Sequence, residues 1–146
     1  MRKSKICYKS LQDVEKMPRF DMSKKPQKVK WFLVPLTWLL SYPEDLACKV
    51  KIFKEGIKGG YLLICNHNSF IDFKVSTKAI FPRMANYVVS IDGFINRERL
   101  MRYVGCICKR KFISDAILIR QLKHSLKKNN YICAIYPEAR YSHVGI

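Results

Sequence analysis

Acidic residues and histidines are scarce in this chain. It has eleven Asp and Glu and three His among 146 residues, against 28 Lys and Arg. The formal charge of +17 favours an anionic partner: nucleic acid, a phospholipid surface or a phosphorylated substrate. No apolar stretch follows the basic start "MRKSKICYKS", so a secretory leader is not expected. There is no internal repeat and no low-complexity tract. Six cysteines (Cys7, Cys48, Cys65, Cys106, Cys108, Cys133) lack the paired spacing of a zinc site. They read as reduced, mostly buried thiols in a cytosolic setting, with Cys106 and Cys108 on one face of a strand.

What is present is a core-forming composition. An apolar fraction of 49% in 146 residues suits a single folded domain. Residues 1–30 carry ten Lys and Arg and three acids with little periodicity, as a solvated or surface-seeking lead segment would. The run "WFLVPLTWLLSYP" (31–43) follows. As a helix, its twelve residues from Trp31 to Tyr42 rise about 18 Å, short of the ~30 Å hydrocarbon core, and Pro35 further opposes a spanning helix. Two readings stay open, a buried core helix and an interfacial membrane helix with Trp38 and Tyr42 at its rim and Lys24, Lys25, Lys28 and Lys30 before it.

From residue 50 the punctuation becomes regular. Strands are expected at 50–53, 61–65, 87–91, 104–108 and 131–136. Helices are expected at 70–81, capped by Ser69 and ended by Pro82, and at 114–130, capped by Ser114 with Asp115 at the positive end of its dipole. Residues 96–103 also have helical character. Strands alternating with helices predict an α/β fold with a mainly parallel sheet flanked by helices, preceded by the N-terminal apolar helical segment. The domain division is 1–49 for the basic, membrane-interfacial part and 50–146 for the α/β domain.

Ligands gather at the carboxyl ends of strands in such sheets, and three polar clusters fall there: "NHNSFID", "KRKF" and "PEARYS". In the first, Asp72 in the opening turn of a helix can face back to His67. A carboxylate on one ring nitrogen fixes the tautomer, and the other nitrogen can then take a proton from a hydroxyl. A histidine satisfied by turn hydrogen bonds is the plainer alternative.

"NHNSFID" resembles the N-H-x-S-x-x-D motif of the PlsC-like glycerolipid acyltransferases, the family of 1-acylglycerol-3-phosphate acyltransferases. Asn66, His67, Ser69 and Asp72 match it. "VGCICKRKF" is similar to the family's G-x-I-F-x-x-R block: Gly105 and Ile107 match, Cys108 replaces the aromatic, and the spacing lands on Lys111 with Arg110 one residue short. "YPEARYS" resembles F-P-E-G-T-R-S through Tyr136, Pro137, Glu138 and Ser142, with Ala139 for the glycine and Arg140 one position early.

The resemblance implies that His67 and Asp72 are the catalytic pair and that no metal or cofactor takes part. It implies an acyl-CoA or acyl carrier protein donor and a lysophosphatidate-like acceptor in phospholipid biosynthesis. Arg110, Lys111, Glu138, Arg140 and Ser142 are the implied substrate-binding residues, with Arg110 preferred over Lys111 as the bidentate phosphate donor. The expected location is the cytoplasmic face of a membrane, peripheral, on anionic lipid. Family members continue past the third block, so the chain reads as C-terminally incomplete. A non-catalytic lipid-binding fragment and a basic polyanion-binding module remain alternatives. The second has no recognised nucleic-acid motif behind it, and nucleic acid is not the expected partner.

Overall fold

The computed structural model describes residues 30, 32–33, 35–36, 39, 56–67, 71–111, 114–127 and 130–137. The expected strand at 50–53, the Ser69 cap, and Glu138, Arg140 and Ser142 lie outside them, as does most of the 1–49 segment.

Four strands, β1 (Leu62–Ile64), β2 (Ala85–Ser90), β3 (Ile107–Lys109) and β4 (Ile132–Ile135), form one parallel sheet in the order β1-β4-β2-β3. The helices are α1 (Ile71–Ile80), α2 (Ile91–Phe94), α3 (Glu98–Tyr103) and α4 (Ala116–Lys127). This is an α/β architecture with a parallel sheet and flanking helices.

The layering follows from chain direction. The steps β1 to β2 and β2 to β3 run one way along the sheet and carry α1, α2 and α3. The step β3 to β4 runs back and carries α4. Right-handed crossovers then require opposite faces, and the packing obeys. Ile80, Tyr87, Ile132 and Ala134 pack with Phe73 on the α1 face, and Ile91, Phe94 and Cys108 pack with Val89 and Met101 beside them. Ile107 and Cys133 pack with Leu118, Leu122 and Leu126 on the α4 face. Alternate residues of the same strands serve the two sides, as the pleat dictates.

The starts of two strands differ most from the pattern-based expectation. β3 begins at Ile107 rather than 104, because Gly105 takes φ +83° in a turn and only then does the chain extend. β2 begins at Ala85 because the polar Asn86 is satisfied inside the sheet, its Nδ2 donating to the Gly105 carbonyl at 2.6 Å. Asn96, at φ +60°, separates α3 from α2, a short helix that periodicity does not reveal.

The opposite end of the sheet is closed tightly. A Cβ on Gly60 would sit 2.7 Å from the Leu126 carbonyl oxygen and 2.8 Å from that of Tyr131, so only glycine admits this approach. Among the described residues no helix is long and apolar enough to cross a membrane.

Candidate active site

All four strands point the same way, so their carboxyl ends share one edge of the sheet. β1 hands over to β4 there, with the Cys65 amide donating to the Ile135 carbonyl at 3.1 Å. His67 follows two residues later, and α1 brings Asp72 back in its first turn. His67 Nδ1 lies 3.2 Å from Asp72 Oδ2. An ionised carboxylate only accepts, so Nδ1 carries the proton and Nε2 is left as the basic nitrogen. The two side chains are about one-fifth exposed, 22% and 20%. They are shielded enough to hold a geometry and open enough to meet a substrate.

The imidazole has a second neighbour. Its ring stacks on that of Tyr136, with centroids 4.6 Å apart and planes 29° apart. Tyr136 follows β4, the strand adjacent to β1. Its Oη lies 3.0 Å from Ser76 Oγ, which is also 2.8 Å from Tyr87 Oη. Thr77 Oγ1 lies 2.9 Å from Tyr87 Oη, and Ser76 and Thr77 both donate to the Phe73 carbonyl at 3.1 and 2.7 Å. With those two protons placed, Tyr136 donates to Ser76 and Tyr87 donates to Ser76 or Thr77, so every hydroxyl proton has an acceptor. Burial raises the Tyr136 phenol above its ordinary value, so it stays protonated.

Cys65 stands near the same corner. Burial raises its thiol pKa above 9.0, and the Asp72 charge adds to the rise. It stays a thiol at neutral pH, which does not suit a nucleophile. Cys65, Cys106, Cys108 and Cys133 are all free, and burial pushes Cys106 and Cys108 up to about 12 and Cys133 up to about 11. No group of three His, Cys, Asp or Glu among the described residues is arranged to hold a metal ion.

The cations after β3 are engaged differently. Arg110 donates Nε and Nη2 to Asp115 at 3.3 and 3.2 Å, and its backbone amide adds a third bond at 3.2 Å. Asp115, rather than Ser114, caps α4, taking the Leu118 amide at 3.2 Å. Lys111 forms an ion pair with Asp92. Both pairs sit at the β3 edge, three strand spacings or about 14 Å from β1, so the structure brings His67 to Asp72 but Arg110 to Asp115. Sequence reasoning passed over Ser76. Its spacing of four from Asp72 puts both on one face of α1, and that was the legible signal.

Comparison with protein-family models, with curated proteins and with solved structures finds no match to this chain.

Proposed function

We propose that this chain is a PlsC-like O-acyltransferase that moves an acyl group from a thioester to the hydroxyl of a lysophosphatidate-like acceptor. The observation that carries the reading is the His67–Asp72 hydrogen bond at the carboxyl edge of a parallel sheet, where such folds bind ligands. His67 Nε2 removes the acceptor hydroxyl proton as the oxygen attacks the thioester carbon. The tetrahedral intermediate collapses, the carbon–sulfur bond breaks, and the departing thiolate takes the proton from the imidazolium. Asp72 holds the tautomer throughout and steadies the positive charge. No protein nucleophile is needed, which suits the raised thiol of Cys65.

The acceptor phosphate requires a cation. Arg110 is committed to a buried carboxylate, whereas Lys111 and Asp92 are both about 30% exposed, and an ion pair in that setting is weak enough for a phosphate to displace. Lys111 is therefore the favoured anchor. Glu138, Arg140 and Ser142 remain substrate-binding candidates by resemblance alone.

Membrane contact is supported by charge and by exposed apolar side chains. Phe32, Leu36 and Leu39 are 41%, 47% and 64% exposed, at a spacing that one helix face would share. With the net charge, this fits an anionic lipid surface, where a lysolipid acceptor would reside.

The test is transfer of labelled acyl groups from acyl-CoA or acyl carrier protein to lysophosphatidate in anionic vesicles. Turnover that disappears in His67→Ala supports the reading. Vesicle binding without any turnover, insensitive to His67, would instead identify a lipid-binding protein.

A further inference from the structure

We propose that Tyr136 is a positioning residue for the His67 imidazole, held in place by Ser76; this rests on reading His67 as the base. Asp72 and Ser76 are four apart on α1 and so lie one above the other on the same helix face. Asp72 fixes the imidazole through its Nδ1 edge, at 3.2 Å. That bond holds one edge and does not fix the ring plane, and rocking about the edge would swing Nε2 away from an incoming hydroxyl. The stacked Tyr136 ring, 4.6 Å away, blocks that motion on one side. The phenol is itself tied at its far end by Ser76, 3.0 Å away. One helix therefore controls both the edge and the plane of the imidazole, the first directly and the second through β4.

The surroundings make this a built arrangement. Tyr87 lies nearly parallel to Tyr136, with planes 12° apart, and shares Ser76 with it. Thr77 holds Tyr87 from the next position of α1. Three elements thus converge on a phenol whose outer face meets the histidine. The negative face of the aromatic ring also favours the imidazolium that forms when Nε2 takes a proton.

The experiment reads the neutral tautomer of His67 in the full chain by ¹⁵N NMR of the imidazole, alongside kinetics. In the unaltered chain the Nδ1–H form should dominate. In Tyr136→Leu the Nε2–H form should become substantially populated, and kcat should fall by about 10–100-fold with KM little changed, the cost of a misplaced reacting group. Tyr136→Phe keeps the stack and loses only the tether, so it should shift the ratio less and cost only a few-fold in kcat. Ser76→Ala removes the same tether together with the Ser76 contacts to Tyr87 and the Phe73 carbonyl, so it should shift the ratio at least as much, and the double variant should be little worse than Ser76→Ala alone. A residue that served only packing would leave the tautomer unmoved. An unchanged ratio in Tyr136→Leu overturns the proposal. If that variant does not fold, an unchanged ratio in both Tyr136→Phe and Ser76→Ala overturns it. The ratio is measured without substrate, so a chain that transfers no acyl group would refute the transferase reading and leave this result standing.

Discussion

Two corners of the molecule are built on the same plan. In each, a basic side chain follows a strand and an aspartate five residues later opens the next helix: His67 with Asp72 after β1, Arg110 with Asp115 after β3. The outcomes differ. Asp115 is 3% exposed and accepts from four donors, three on Arg110 and the Leu118 amide. Asp72 is 20% exposed and sits inside the first turn of its helix rather than capping it. An arginine cannot give up its proton, so the β3 corner is a lock. An imidazole can, so the β1 corner has the chemistry to take up and release a proton. Equal spacing does not make equal jobs; the identity of the base and the depth of the carboxylate separate them.

Substitutions can break or sharpen this contrast. The largest expected effect is His67→Ala, which should lower kcat/KM for acyl transfer by at least about 10²–10⁴-fold while leaving thermal unfolding nearly unchanged. A Tm lowered as much as by loss of the Arg110 partner would erase the distinction. Next come the two aspartates in parallel. Asp115→Ala removes a cap and strips Arg110 of its partner, a loss of about 2 kcal/mol that calorimetry should record as a Tm lower by roughly 6 °C. Asp72→Ala should instead slow turnover and change Tm little.

Smaller effects separate the two cations. Lys111→Ala should raise the KM for a phosphorylated acceptor by about tenfold, the size of one charge-assisted contact, and leave a dephosphorylated acceptor unaffected. Arg110→Ala should show up in Tm more than in KM. If Arg110→Ala has the larger KM effect, the anchor is Arg110 and the lock is not only structural.

The smallest effect concerns acid. Burial by itself would raise the Asp115 pKa, but the Arg110 and Leu118 bonds outweigh it and hold the carboxyl below its ordinary 3.8. The unfolded chain therefore binds this proton at higher pH than the folded one. Asp115's contribution is full above about pH 4 and is lost as pH falls through the folded value. Urea midpoints measured from pH 5 down to pH 2 should decline for the parent and decline less for Asp115→Ala. Parallel declines would place the acid-sensitive groups elsewhere.

Much of this was legible in the sequence. The alternation of buried strands and amphipathic helices predicted the α/β layering, since a strand buried on both faces needs a continuous apolar run and its helix needs an apolar stripe. The His67–Asp72 pairing was legible for a local reason: only five positions separate the two residues, and Asp72 stands in the first turn of α1. The start of β3 is not legible, because Val104 looks like strand whereas the glycine beside it takes a left-handed turn. Capping propensity points one residue early, to Ser114, because both residue types cap well and only the backbone decides which one stands at the end.

What the sequence by itself determined are the features set by neighbours along the chain: the longer helices, the strands of the parallel alternation and the His67–Asp72 pair. Tertiary structure alone decided the strand order, in which β4 enters between β1 and β2. That insertion carries Tyr136 from 69 residues away onto the His67 ring, while β3 at the far edge keeps Arg110 and Lys111 apart from the dyad. Periodicity reports only which face of an element is apolar. The lateral position of each strand depends on how the crossovers pack, and such long-range contacts leave no local mark.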